Sequence, residues 1–172
     1  MEYVHRVTEE DTVLGKISRK ECVEKAILHR AAAILVFNHH RDIFVHKRSS
    51  NKEFYPDLWD GSVGGAVQWN ESYEEAAKRE LLEELGITAA LTCEAPYKYR
   101  SENLNYNGRI FTCITGDQPV LQSLEIKEGK WMLVEDLIVD IQTNPRKYIP
   151  DFLVVWDKYL SLEKGLRTEP GF

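Results

Sequence analysis

The stretch GGAVQWNESYEEAAKRELLEELGI, residues 64–87, places two glycines ahead of a segment with helical apolar spacing. At ~100° per residue, a helix is predicted over 73–85, with an apolar side that spans roughly 180°. That side comprises Tyr73, Ala76, Ala77, Leu81 and Leu85. Glu80 and Glu84 fall near its middle, and Glu83 lies just outside its edge. Because burying an ionised carboxylate is costly without a cation or close hydrogen bonds, this helix is predicted to face a compensating partner.

The spacing of the three acids indicates a shared ligand. Residues at i, i+3 and i+4 lie on one helical face, so Glu80, Glu83 and Glu84 can converge their oxygens on one or more divalent ions. Ligation by oxygen alone favours Mg²⁺ or Mn²⁺ over zinc, for which His or Cys ligands are expected. The alternative is a salt-bridged face, in which Lys78 and Arg79 pair with the acids and no metal binds. The two glycines upstream favour the metal, because they let bare backbone groups approach a ligand.

The N-terminal half of the remaining chain has the apolar patterns of strands and short helices. A strand or hairpin arm is predicted over 12–19 and a short helix over 19–28. Two β-rich runs, 31–38 and 42–49, predict central strands joined by a short loop. The segment 49–57 is predicted to be a loop. In 58–67, the glycines suit bends or close backbone approach more than a regular ladder.

The C-terminal half continues the mixture of strands and helices. Strands are predicted over 89–94, 97–104 and 109–115, with Asn107-Gly108 as the hairpin turn between the last two. A strand then runs into a helix from about Glu135, and Pro150 is expected in the first turn of a C-terminal helix. This order of elements predicts an α/β (α+β) fold, with helices packed on a curved sheet.

Composition narrows the possible partners and the expected location. The 172 residues include 28 acidic and 22 basic side chains, a formal charge of −6. An acidic chain disfavours long nucleic acids and anionic membranes, while a small anionic substrate remains compatible if metal ions neutralise the charge. The three cysteines form no close pair, and no apolar run is long enough to span a bilayer. We therefore expect a cytoplasmic protein that acts on a small molecule.

Residues 65–87 resemble the Nudix box, whose pattern is G-x5-E-x7-R-E-U-x-E-E-x-G-U, where U is aliphatic. Every specified position matches, through Gly65, Glu71, Arg79, Glu80, Leu81, Glu83, Glu84, Gly86 and Ile87. The resemblance implies the Nudix fold, an α/β/α sandwich with a curved mixed sheet. We expect a single domain over 1–172, with 1–29 as an N-terminal extension packed on it. The segments LGKISRKEC…HRAA and EIKEGKWM further resemble the bacterial Nudix group close to isopentenyl-diphosphate isomerase.

The resemblance also implies roles for the box residues. Glu80, Glu83 and Glu84 would ligate Mg²⁺, helped by the carbonyl of Gly65. Arg79 and Glu71 would orient these acids. The implied reaction is hydrolysis of a nucleoside diphosphate derivative by metal-activated water. The carboxylate that takes the water's proton stays open between one of the box acids and two loop acids, Glu125 and Glu128.

Three alternatives to such a hydrolase remain. The isomerase needs a Cys and a metal-binding His, and alignment on Trp59 puts Gly64 and Ala66 at those positions, which disfavours it. An RNA-decapping enzyme would need a basic stripe that this chain lacks. A nucleotide sensor without catalysis would not need the full set of acids.

The substrate is the least defined part of the prediction. Lys47 and Arg48 end the second hairpin strand and could reach a diphosphate. Trp59 could stack on a base. A homodimer is possible by analogy with similar enzymes.

Overall fold

The computed structural model describes residues 2–167, with only the backbone described at 166 and 167. The predicted domain bounds of 1–172 therefore include Met1 and 168–172, which lie outside the described residues. The strands are β1 (Tyr3–Val7), β2 (Val13–Ser18), β3 (His29–Asn38), β4 (Ile43–Arg48), β5 (Trp59–Asp60), β6 (Val63–Ala66), β7 (Thr92–Arg100), β8 (Asn105–Thr115) and β9 (Ile126–Met132). The helices are α1 (Arg19–Glu24), α2 (Tyr73–Leu85), α3 (Val134–Thr143) and α4 (Pro150–Arg167), with a 3-10 turn at Pro145–Lys147.

Strand β3 organises a mixed sheet. It pairs in parallel with β8 along its whole length and antiparallel with β6, and its first residue pairs with β1. Strand β4 meets β3 only next to the hairpin loop and then pairs with β5 and β9. The two halves of the sheet therefore separate beyond the hairpin, and both contribute to one cleft, described below.

The sheet lies between helices on both faces. Successive residues of a strand point to opposite faces, so the apolar run of β3 feeds two cores. Ala31, Ala33, Leu35 and Phe37 pack with α3 and α4 on one face. Ala32, Ile34 and Val36 pack with α2 on the other face. The predicted α/β/α sandwich with a curved mixed sheet is confirmed. Among residues 2–167, no helix is long and apolar enough to cross a membrane.

The predicted hairpin turn at Asn107-Gly108 is wrong. Both residues lie inside β8, and the chain turns instead at 101–104, between β7 and β8. Two long strands thus replace the three predicted short ones. The glycine serves close packing, because a Cβ at Gly108 would lie 2.1 Å from the ring of Tyr97. The Asn107 amide donates to the carbonyl of Thr8 across 3.0 Å, which ties β8 to the N-terminal segment.

Three further expectations needed revision. Strand β1 was not predicted, although it pairs with both β2 and β3, and α1 ends at Glu24 rather than at residue 28. Gly64 and Gly65 do form a regular ladder, opposite Ala33 and Ala32 of β3. The predicted close approach is nevertheless real, because a Cβ at Gly64 would lie 2.0 Å from the Ala32 carbonyl oxygen. The helix that begins at Pro150 is confirmed.

Candidate active site

Helix α2 is fixed at both ends by its own sequence. The Ser72 hydroxyl accepts from the Glu75 N–H, and the Glu75 carboxylate accepts from the Ser72 N–H, so two N-terminal donors are satisfied. Gly86 ends the helix in the left-handed conformation, with φ of 65°. The buried residues of α2 are Ala76, Ala77, Leu81, Glu84 and Leu85. An acid therefore does lie on the apolar side, as the spacing predicted.

The three box acids differ in burial. Glu84 is 9% exposed, and its Oε1 accepts a hydrogen bond of 3.3 Å from the Gly64 N–H. The side chain of Glu80 is 15% exposed, whereas that of Glu83 is 59% exposed. Gly65 leaves room for Glu80, because a Cβ there would lie 2.5 Å from the Glu80 Oε1. The exposed fraction of the acids therefore increases from Glu84 through Glu80 to Glu83, from the sheet outward to the solvent.

Arg79 joins the acids to the preceding loop. Its Nε and Nη2 donate to the two carboxylate oxygens of Glu71 at 2.8 and 3.0 Å. Its Nη1 donates to Glu80 at 2.7 Å and to Glu83 at 3.1 Å, and Nη2 also donates to the Ala66 carbonyl. This pairing of Arg79 with two box acids is the one that the salt-bridged alternative predicts for that residue. Lys78 instead pairs with Glu74, away from the box acids.

Burial and charge shift the pKa values of these groups. Burial raises the pKa of Glu84 well above its ordinary value, and repulsion from Glu80 and Asp60 adds to the effect. Burial also raises the pKa of Glu80, against the attraction of Arg79. Hydrogen bonds from Arg79 lower the pKa of Glu71. A divalent cation beside Glu80 and Glu84 would favour their ionised forms and reverse the upward shifts.

A cleft of about 960 Å³ opens beside the box acids. Glu80, Glu83, Glu84 and Gly65 line one side of it. Residues from α1, the 49–57 loop, β5, β8 and the start of α4 complete its walls. The cleft is therefore built from both halves of the sheet and from segments far apart in the sequence.

Two of the five predicted substrate residues line this cleft, namely Arg48 and Glu125. The carboxylate of Glu125 forms an ion pair with Lys52. The other three do not line it, for a common reason: Lys47 pairs with Trp59 on one neighbouring strand and with Glu128 on the other. Cross-strand partners share a face, and adjacent residues of a strand point to opposite faces. Lys47, Trp59 and Glu128 therefore point away from the face that carries Arg48.

Sequence reasoning missed several polar residues of the cleft. Arg19 of α1, Lys52 of the loop, Asp60 of β5, Tyr106 of β8 and Asp151 of α4 all line it. The available signal for Asp60 was its position in LWDGSV, where a charged residue stands among apolar residues and glycines. Asp151 stands in a similar context, among the apolar residues of YIPDFLVVW. Arg19, Lys52 and Tyr106 stand in polar stretches, and only the fold brings them to the cleft.

The comparison with family models agrees with the geometry of α2. The model described as NUDIX domain matches residues 27–152, most of the chain. The chain belongs to the Nudix family. The box acids Glu80, Glu83 and Glu84, which line the cleft, fall within the matched range.

Relatives extend the match over almost the whole chain. The uncharacterized Nudix hydrolase YfcD of Escherichia coli is 31% identical over 98% of this chain and 93% of that protein. The uncharacterized Nudix hydrolase PA4841 of Pseudomonas aeruginosa is 34% identical over 92% of this chain and 94% of its own. A more distant relative is isopentenyl-diphosphate Delta-isomerase 2 of Aromatoleum aromaticum, 28% identical over 83% of this chain and 78% of that enzyme.

Solved structures give the same fold. The crystal structure of DR0079 from Deinococcus radiodurans superposes with a TM-score of 0.73 at 28% identity, over 83% of this chain and 90% of that one. The MutT protein from Methanosarcina mazei superposes with a TM-score of 0.70 at 20% identity, over 82% of this chain and 96% of that one. This Nudix chain is thus a hydrolase that acts on pyrophosphate bonds.

Nudix hydrolases generally use divalent metal ions, and the donor set of this one fits such an ion. Within residues 2–167, no three His, Cys, Asp or Glu side chains are gathered closely enough to hold a metal, and Arg79 donates to Glu80 and Glu83. The chemistry is nevertheless suitable: Glu84 is a buried carboxylate, and the missing Cβ of Gly65 leaves room for the Glu80 oxygens. Carboxylate and carbonyl oxygens are the ligands that Mg²⁺ and Mn²⁺ prefer.

Proposed function

We propose that this Nudix protein is a Mg²⁺-dependent hydrolase that cleaves the diphosphate linkage of a small nucleoside diphosphate derivative. The observation that carries the proposal is the state of Glu84. Its carboxylate is 9% exposed on the apolar side of α2, and within residues 2–167 its hydrogen-bond donor is the Gly64 N–H rather than a cationic side chain. Burying an ionised carboxylate without a cationic partner costs free energy, so a bound cation is the expected partner.

Glu80, Glu83, Glu84 and the Gly65 carbonyl would hold Mg²⁺, for which Mn²⁺ could substitute. When bound, the ion lowers the pKa of the attacking water and neutralises charge on the phosphate oxygens. Arg79 and Glu71 act as positioning residues, since the bidentate pair between them fixes the guanidinium that contacts Glu80 and Glu83.

Other residues of the cleft would bind the substrate and accept the proton of the attacking water. Arg48 lines the cleft and can donate to a phosphate oxygen. Of the two acids considered as bases, Glu125 lines the cleft, whereas Glu128 lies in β9 rather than in a loop and does not line it. We therefore propose Glu125 or one of the box acids as the group that takes the proton of the attacking water.

The isomerase alternative has support from the distant relative, but not from the side chains present. Gly64 and Ala66 lie on β6 and offer neither thiol nor imidazole. The three thiols, Cys22, Cys93 and Cys113, all belong to the described residues, and none lines the cleft. A sensor without catalysis is the third candidate, and the experiment below separates all three.

The test is product release from a panel of compounds, each with and without Mg²⁺. The panel contains ADP-ribose, NADH, dinucleoside polyphosphates, nucleotide sugars, nucleoside triphosphates and isopentenyl diphosphate. Metal-dependent cleavage of a nucleoside diphosphate derivative supports the proposal. Turnover of isopentenyl diphosphate alone supports the isomerase, and nucleotide binding without cleavage supports the sensor. Either result would contradict the proposal.

The matched variants are Glu84→Gln and Glu74→Gln. Glu84→Gln keeps the shape of the side chain but removes the buried charge, and we expect kcat to fall roughly 100-fold or more at saturating Mg²⁺. Glu74→Gln alters an exposed acid of the same helix that pairs with Lys78, so its kcat should be unchanged. Near-normal turnover by Glu84→Gln would refute the metal role.

A further inference from the structure

Two carboxylates that the proposed reaction does not use lie in the wall of the cleft, outside α2. Asp60 ends β5, and Asp151 lies in the first turn of α4. Both line the cleft, and Asp60 is only 5% exposed. Neither belongs to the Nudix box. Their presence beside a site for an anionic substrate therefore requires a separate explanation.

The fold places these two acids on contacting segments. The Ile149 N–H donates to the Trp59 carbonyl across 2.9 Å, so the chain before α4 runs alongside β5. Gly61 lies directly against the ring of Phe152, since a Cβ at Gly61 would be 2.3 Å from that ring. Asp60 and Asp151 flank this contact. Their spacing is thus set by backbone pairing and by tight packing, and it does not depend on a flexible loop.

Each carboxylate is held by the protein yet keeps acceptor capacity. The Oδ1 of Asp60 accepts from the N–H and the hydroxyl of Ser62 at 2.8 and 2.9 Å. Its Oδ2 lies 3.9 Å from Arg48 Nη1, which is too far for a hydrogen bond. Asp151 accepts from the Phe152 N–H at 3.0 Å and from the Tyr106 hydroxyl at 2.5 Å. A carboxylate offers about four lone-pair sites, so both acids can accept a further donor.

The charges at this wall do not balance. Arg48 is the cation nearest the pair, and its Nε is already engaged by the Phe54 carbonyl. Burial raises the pKa of Asp60 and that of Asp151 to about 6, and repulsion from Asp60 adds to the rise at Asp151. Such a wall disfavours an apolar group of the substrate, because covering the acids would desolvate them without a new hydrogen bond. It favours a group that brings N–H donors or positive charge.

We propose that Asp60 and Asp151 form a specificity subsite of this enzyme and accept hydrogen bonds from an amino group of the substrate. This inference rests on the proposed function, because it assumes that the diphosphate lies against the box acids. It narrows the substrate class to diphosphates that carry an amino group. The amino group can come from the nucleobase or from the group X that is linked to the diphosphate.

The experiment compares two matched pairs of compounds in dissociation constant and in KM. The base of CDP-glucose carries an exocyclic amino group, whereas the base of UDP-glucose carries only a ring N–H. CDP-ethanolamine and CDP-glycerol differ in an amine on X. We expect a preference of about tenfold or more for the amino compound in one pair, as is typical of a charge-assisted hydrogen bond. The pair that shows the preference identifies the source of the N–H donor.

The variants Asp60→Asn and Asp151→Asn should reduce that preference to less than about threefold, through KM and not through kcat. Asp157→Asn removes an exposed acid of α4, the helix that carries Asp151, and should keep the preference for the amino compound. A purely structural role would lower the activity on both compounds of a pair equally, and partial unfolding would leave the ratio intact. No preference in the wild-type protein, or a preference that persists in both variants, would overturn the proposal.

Calorimetry separates this inference from the proposed function. If the wild-type protein cleaves no compound, the proposed hydrolysis fails, while the dissociation constants still test the subsite. Equal dissociation constants within both pairs, or the absence of binding to all four compounds, would count against the subsite. Cleavage without any preference would leave the hydrolase intact and would refute the role of Asp60 and Asp151 alone.

Discussion

At the scale of single residues, the two adjacent glycines of β6 serve different purposes. A Cβ at Gly64 would lie 2.0 Å from the backbone oxygen of Ala32, whereas a Cβ at Gly65 would meet only the carboxylate of Glu80 at 2.5 Å. A backbone cannot yield without disturbing the sheet, but the end of a glutamate can rotate away. Gly64→Ala should therefore damage the fold, and Gly65→Ala should damage the site.

We expect Gly64→Ala to lose about 1–3 kcal/mol of unfolding free energy. Gly65→Ala should keep the wild-type stability but need roughly 10–100-fold more Mg²⁺ for half-maximal activity, because Glu80 is displaced. Urea denaturation and Mg²⁺ titrations of the activity measure the two effects. Equal stability losses in both variants, with an unchanged Mg²⁺ requirement, would contradict the separate roles of Gly64 in the fold and Gly65 in the site.

At the scale of elements, helix α2 owes its start to its cap and not to the metal site. The reciprocal hydrogen bonds between Ser72 and Glu75 have lengths of 3.2 and 2.7 Å. Ser72→Ala removes one of them and should cost about 1 kcal/mol of unfolding free energy, while kcat at saturating Mg²⁺ stays unchanged. Ser161→Ala, within α4, is the control and should change stability by less than about 0.5 kcal/mol. A large loss of kcat in Ser72→Ala would show that the cap also positions the acids.

At this scale, local sequence patterns predicted some features of the fold and the site and failed to predict others. The acids of α2 were predictable because helical spacing is local, and the Nudix box fixes their order. The turn at Asn107-Gly108 was not, because the ring of Tyr97, eleven residues away in sequence from Gly108, needs the space that Gly108 leaves. The wall formed by Asp60 and Asp151 was equally out of reach. It depends on backbone pairing between β5 and the start of α4, segments about 90 residues apart that carry no shared pattern.

At the scale of the whole molecule, the buried acids of the cleft couple its stability to pH. Asp60 has a pKa of 3.8 when free and about 6 in the folded protein, because burial outweighs the attraction of Arg48 and the hydrogen bonds from Ser62. Below pH 3.8 this group is protonated in both states and has no effect. Between about pH 4 and pH 6 the folded state retains a proton that the unfolded state releases, so stability falls as pH rises. Above pH 6 the full penalty, roughly 2–3 kcal/mol, persists.

Asp60→Asn should therefore be more stable than the wild-type protein at pH 8 by about 2 kcal/mol and nearly equal to it at pH 4. Part of the pH dependence should remain, because burial also raises the pKa of Glu84. Asp157→Asn should follow the wild-type curve. Urea denaturation at intervals from pH 4 to pH 8 measures all three proteins, and a difference between Asp60→Asn and wild type that does not change with pH would contradict the prediction. The expected gain in stability at neutral pH means that the wild-type fold is less stable because it retains this acid, as is common for groups kept for binding.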